Sequence, residues 1–303
     1  FLVDGAGRVE VIYKGPVAVD DLLEDAGHSK RTRAERWRCS APLAGRTIDH
    51  EIITRAADDF EAAVHFQHAL HRESMGDVER AIGHYRESLR IRPHFGGAHR
   101  NLGRLHSQRG DWREALPHFV SYAEIHPDDP AGHHALGLTH RHLGNLPAAR
   151  SELQAAVRLQ GNHVPALDAL GELQLLAGQA AEAAGSFRAV LKLAPRHASA
   201  TNNLAWILAT HPDDELRDPE EALRLATRLV GGEGGDKPEF LDTLAAAQAG
   251  SGRFEEAITT ARRGVTLARA AGQEQLAGRI EEKIAHYERS EPFRDQADPP
   301  DRE

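Results

Sequence analysis

Histidine is the residue type in this chain with the most chemical potential. There are 19, and fourteen of them fall between His65 and His163. His65, His68 and His71 are spaced three apart, and His133, His134, His140 and His142 form a second cluster. Imidazoles three or four residues apart on a helix can share a face, and three or four converging on one point would bind zinc or copper. Another arrangement is written in the same residues. His65, His99 and His133 repeat at intervals of 34, as do His106 and His140. Residues locked to a period occupy equivalent places in successive structural units, so these imidazoles are expected to pack between helices. No metal or other cofactor is assigned to them. Hydrolytic chemistry is no better supported. Serine, histidine and aspartate are plentiful, but no glycine pattern frames a serine as a nucleophile, and Cys39 stands in a linker with no histidine beside it. No phosphate-cradling GxxxxGK[ST] or strand-anchored GxGxxG is present, and Gly231, Gly232, Gly234 and Gly235 flank an acid rather than opening onto a lysine. The reading is of a chain without enzymatic activity.

The elements that hold these residues follow from the same period. Ala81, Ala115, Ala149 and Ala183 are spaced 34 apart. So are Gly76, Gly110, Gly144 and Gly178, and so are Ala69, Gly103, Gly137 and Gly171. Tyr85, Phe119, Leu153 and Phe187 recur in step, and Pro93, Pro127, Gly161 and Pro195 close the units. Each column has a physical role in a helical hairpin. A small residue lets a neighbouring helix approach, a glycine takes positive φ in the turn, and a proline cannot extend the second helix. A single hairpin cannot bury its apolar face, whereas stacked neighbours can.

Windows such as Asn101-Leu102-Gly103 through Asp111-Trp112-Arg113-Glu114-Ala115-Leu116-Pro117-His118-Phe119 resemble the tetratricopeptide repeat, over roughly residues 60–270. The resemblance implies an all-α, right-handed α-solenoid of about six helical hairpins with a C-terminal capping helix. A fifth hairpin begins near Ala198 with about five extra residues in His211–Pro219, and the sixth carries Leu241, Leu244, Ala245, Gly252 and Ala257. The cap is expected from about Gln273 to Arg289. The domain reading is residues 1–27, a linker at 28–58, the repeats and cap at 59–289, and a flexible acidic tail at 290–303.

Residues 1–27 follow another rule. Phe1-Leu2-Val3-Asp4 and Val9-Glu10-Val11-Ile12-Tyr13 are β-rich runs around Gly5-Ala6-Gly7-Arg8, and Val19–Ala26 has helical spacing. This hairpin and helix resemble the end of a thioredoxin-like domain. The cysteine pair and cis-proline of that family would lie upstream of Phe1, so the resemblance implies redox activity for no residue here. Fusions of this kind look like extracytoplasmic bacterial proteins, which leans the location towards periplasmic or secreted.

Composition excludes several classes. Hydrophobic residues make up 40% but aromatics only 5%, a balance of alanine and leucine that suits close-packed helices. One cysteine rules out an intrachain disulfide framework. With 37 basic against 46 acidic residues and a formal charge of −9, a general nucleic-acid partner is not expected. No apolar run is long enough to insert in a membrane. The basic run Lys30–Arg38 with Trp37 is read as a solvated linker.

What remains is the surface of the first helices. The resemblance implies that residues two, five, nine and twelve of each first helix line a groove. Arg100 and Arg104 fall there in the second unit, His134, Leu138 and Arg141 in the third, Asp168 and Glu172 in the fourth, and Asp242 in the sixth. Asn101 and Asn203 take the place at which some proteins of this family bond a peptide backbone. Phe66 and Leu70 stand where the family's carboxylate clamp needs polar residues. The groove is expected to be basic in its middle, acidic later, and to bind an unknown protein or peptide with an acidic segment. The alternative function is delivery of substrate to a redox domain upstream.

Overall fold

The computed structural model describes residues 2–3, 9–11, 50–232 and 235–295. Thirteen helices lie among the described residues: α1 His50–Ser74, α2 Val78–Ile91, α3 Gly96–Gln108, α4 Trp112–Ile125, α5 Pro130–His142, α6 Leu146–Leu159, α7 Val164–Leu176, α8 Ala180–Leu193, α9 Ala198–Thr210, α10 Pro219–Val230, α11 Pro238–Gly250, α12 Phe254–Ala270 and α13 Glu274–Glu288. None is long and apolar enough to cross a membrane. Two short strands, β1 Leu2–Val3 and β2 Val9–Val11, pair antiparallel. The turn expected at 5–8, the helix expected at 19–26 and most of the linker at 28–58 lie outside the described residues, as do Trp37 and Cys39. Two short paired strands are common to many folds and lend the thioredoxin-like resemblance no support.

The chain divides into two compact units, Phe1–Pro127 and Asp128–Glu303. In the first, α1 packs on α2, α2 on α3 and α3 on α4. In the second, each helix from α5 to α13 packs on the next, and α5 also meets α7, α9 meets α11, and α11 meets α13. The result is two hairpins in one unit, then four hairpins and a closing helix in the other.

The periodic columns show why. Ala81, Ala115, Ala149 and Ala183 are all fully buried. A Cβ built on Gly103 would stand 2.8 Å from the Phe119 ring, and one on Gly171 would stand 2.7 Å from Phe187 Cε1. The first helix therefore has a notch where the ring of the second helix sits. The hairpin turn needs its own glycine. Gly110 has φ +80°, its N–H donates to Ser107 O, and Asp111 N–H donates to His106 O. These bonds close the last carbonyls of α3 in three residues, and the turns at Gly76, Gly144 and Gly178 repeat the pattern.

The fifth hairpin departs from it. The insertion expected at 211–219 is the loop between α9 and α10. Arg217 Nη1 donates to the carbonyls of His211 (2.8 Å) and Pro212 (2.7 Å), which gathers the loop. The tail at 290–303 differs from expectation in its first part. Phe293 lies 6.1 Å from the Trp206 ring, centroid to centroid, and Asp295 accepts a hydrogen bond from Trp206 Nε1 at 2.7 Å. An aromatic side chain and a paired carboxylate hold this segment against α9 where composition alone suggested a free end.

Candidate functional site

The residues expected to line a groove in the first unit are tied into a chain of hydrogen bonds. Asn101 is only 7% exposed, and its Nδ2 donates to Tyr85 Oη at 2.9 Å. Tyr85 Oη in turn donates to Glu73 Oε2 at 3.1 Å. Arg104 closes the series, with an ion pair to Glu73 and an N–H to Gln108 Oε1 at 3.2 Å. Burial and the Glu73 carboxylate push the Tyr85 phenol up to about 12. One amide N–H of Asn101 is thus spent on a core tyrosine. Arg100 is different. It is exposed, with its guanidinium carbon 5.9 Å from the Tyr122 ring centroid.

The second unit repeats the geometry with the signs exchanged. Arg141 on α5 is ion-paired with Glu172 on α7. Both this pair and Glu73–Arg104 join residues 31 apart in sequence, one turn from the end of one first helix to the middle of the next. The acid comes first in one pair and the base first in the other. The expected basic-to-acidic gradient is thereby largely neutralised pair by pair. Asp168 stands beside this pair, and its carboxyl is held above the usual range by burial, against the pull of His197 at 3.8 Å. His134 packs against the His163 ring at 5.3 Å, and Leu138 is half-buried beside the Leu153–Leu170 cluster. Asn203 is half-buried on α9. The structure brings Arg141, Asp168 and Glu172 together. Arg100 and Arg104 belong to the other unit.

The histidines form pairs between the two helices of a hairpin. His65 Nδ1 is 3.3 Å from His84 Nδ1 and His99 Nδ1 is 3.2 Å from His118 Nδ1. His133 Nδ1 meets Glu152 Oε2 at 2.7 Å in the corresponding place. Each pair joins residues 19 apart, one on the first helix and one on the second. This pairing was missed in the sequence because only first-helix histidines were compared. The second-helix column of His84, His118 and Glu152, again 34 apart, carried the signal. Among the described residues no three His, Cys, Asp or Glu side chains are grouped to hold a metal.

Two of these imidazoles give the fold an acid dependence. Burial, with His99, His106 and Arg86 nearby, lowers His118 to about 4, and burial with His163 and Arg141 lowers His134 to about 4. In the unfolded chain both titrate near 6.5. Between those values the unfolded state binds more protons, so stability is complete above pH 6.5 and declines as pH falls towards 4. Urea midpoints are expected to drop between pH 7 and pH 5 by the equivalent of about 1–2 kcal/mol, a figure reduced for partial exposure. The double variant His118→Gln/His134→Gln should flatten that slope. An unchanged slope would show that other groups carry it.

Comparison with known proteins fits this geometry. A tetratricopeptide repeat family model matches residues 66–130, 100–164 and 169–216. No curated protein matches the sequence significantly. Among solved structures, the chain is similar to Pseudomonas aeruginosa pilF, with TM-score 0.61, 17% identity, and coverage of 75% of this chain and 99% of that one. It is similar to a tetratricopeptide repeat protein of Parabacteroides merdae, with TM-score 0.56, 16% identity, and coverage of 75% and 93%. It is also similar to a chain of the APC/C hetero-tetramer Cut9–Hcn1, with TM-score 0.57, 17% identity, and coverage of 77% and 45%. At these identities the likeness concerns the fold. The family matches begin at residue 66, end at residue 216 and leave residues 1–65 and 217–303 unassigned. Residues 66–164 and 169–216 thus match the tetratricopeptide repeat model and carry the small-residue notches, glycine turns and paired helices that the period demands.

Proposed function

We propose that the chain is a protein-interaction scaffold that binds a protein or peptide segment reversibly on its first-helix surfaces, without chemistry. The observation that carries the reading is the fixed polar lattice on those helices. Glu73–Arg104 in one unit and Arg141–Glu172 in the other hold neighbouring first helices together through their side chains. A surface whose side chains are already placed loses little freedom on binding, which favours affinity. Arg100 stands outside these pairs as an exposed cation on an aromatic ring. It is the feature in the first unit that an acidic partner segment would meet. One of the solved chains of similar fold is itself seen within a hetero-tetramer.

The test compares partners recovered by immobilised wild-type chain and by Arg100→Glu at one salt concentration. Charge reversal is expected to lower recovery of the main partner by roughly tenfold or more. The same partners in the same amounts would remove Arg100 from the binding surface.

A further inference from the structure

The inserted loop of the fifth hairpin changes the end of α9. In the short hairpins a three-residue turn closes the helix. Here the chain leaves through residues 211–218, and the four last carbonyls of α9 find separate partners. Ile207 O accepts from His211 N–H at 3.1 Å and Leu208 O from Asp218 N–H at 3.0 Å, both within the loop. The other two are met from a distance in sequence. Thr210 O accepts from Asp295 N–H at 2.9 Å, and Ala209 O accepts from Arg294 Nη1 at 3.3 Å. A helix end leaves such carbonyls without intrahelical donors, so the longer loop exposes two acceptors that an extended strand of chain can use.

Side chains complete the place. Trp206 stands at the ninth position of its first helix, among the positions that line the groove, where the other five hairpins carry Leu70, Arg104, Leu138, Glu172 and Ala246. Its ring, the Lys283 ammonium 4.6 Å from it, and the His286 ring 5.9 Å from Phe293 make an aromatic slot that Phe293 fills. Lys283 Nζ is also 5.4 Å from the Phe293 ring. Two residues on, the indole N–H binds the Asp295 carboxylate. We propose that this surface of α9 and α13 is a docking site for an extended peptide bearing an aromatic residue and, two positions later, a carboxylate, and that residues 291–295 occupy it in cis.

Two features make the bound tail displaceable. The chain swings back from α13 through Ser290 at φ +59°, a left-handed conformation that a serine adopts at some cost. Arg294 then sits near the Arg217 guanidinium, and burial together with that like charge lowers its pKa. The arginine thus both donates to Ala209 O and meets a like charge, which weakens the net hold of the tail. The assignment rests on the scaffold reading and narrows it to one partner chemistry.

The test uses the full chain. Phe293→Ala/Asp295→Asn empties the site without removing residues. A fluorescein-labelled, end-capped peptide Glu-Pro-Phe-Arg-Asp is titrated by anisotropy into this variant and into the unaltered chain. The variant is expected to bind at least roughly tenfold tighter, because the tail no longer competes. A peptide with alanine in place of phenylalanine should not bind. Far-ultraviolet circular dichroism and the urea midpoint establish that the variant is folded. A folded variant that shows no binding of the phenylalanine peptide at millimolar concentration, or equal affinity of both chains for it, would overturn the proposal and leave the tail a permanent latch. That outcome is separable from the scaffold reading, since the Arg100→Glu comparison interrogates the other unit.

Discussion

The Lys283→Met variant is expected to unfold at a clearly lower urea concentration than the wild type, by the equivalent of about 3–5 kcal/mol. Asp242 and Lys283 are only 7% and 8% exposed, and Lys283 Nζ donates to Asp242 Oδ2 at 2.5 Å. Burial drives the Asp242 carboxyl up, and the Lys283 ammonium is the strongest influence opposing that rise. Asp242 Oδ1 is itself buried with no hydrogen-bond partner among the described residues. Without the ammonium the carboxylate would be an uncompensated charge in a dry interface between α11 and α13. The deficit should shrink as pH falls, because the folded variant then takes up a proton at Asp242 before the unfolded chain does. Replacing both partners, as Asp242→Leu/Lys283→Met, should recover most of the loss. Equal midpoints for single and double variants at pH 7 would mean that the two charges are not energetically coupled.

Phe187→Ala is expected to be comparably damaging, at about 3–5 kcal/mol. The ring is fully buried and lies in the notch at Gly171, within the largest apolar cluster of the second unit. The notch makes the effect specific. Gly171→Ala alone would drive a methyl to 2.7 Å from Phe187 Cε1, which should destabilise by about 1–3 kcal/mol. In the Phe187→Ala background that methyl enters the vacated space, so the same change should become neutral or helpful. A double-mutant cycle with a coupling of about 1 kcal/mol or more would establish the contact. Simple additivity would refute the pairing of the glycine and aromatic columns.

That pairing is the part of the fold most plainly legible in the sequence. Gly103 with Phe119, Gly137 with Leu153 and Gly171 with Phe187 each put a small residue opposite a large one, and a shared period of 34 is hard to satisfy otherwise. Helix α13 was legible for the same reason, since Ile280, Ile284 and Tyr287 recur on one face and are all buried. The surface was far less legible. A residue's place in the repeat says which helix it stands on, but not whether a neighbouring hairpin supplies a partner. Asn101 has one amide N–H taken by Tyr85, and Arg104 and Arg141, which looked like free cations, are each ion-paired from one hairpin away. The tail was misjudged because Phe293 and Asp295 find their partners almost ninety positions earlier in the chain, where no local pattern points.

The two ion pairs of exchanged polarity bear on how the hairpins choose their neighbours. These two stacking steps between first helices differ in electrostatic signature: acid then base at Glu73–Arg104, and base then acid at Arg141–Glu172. If the helix bearing Arg141 were to stack against the one bearing Arg104 in that geometry, two guanidinium groups would meet. Glu73 set against Glu172 would likewise confront two carboxylates. Hairpins alike enough to substitute for one another sterically are thereby discriminated by sign.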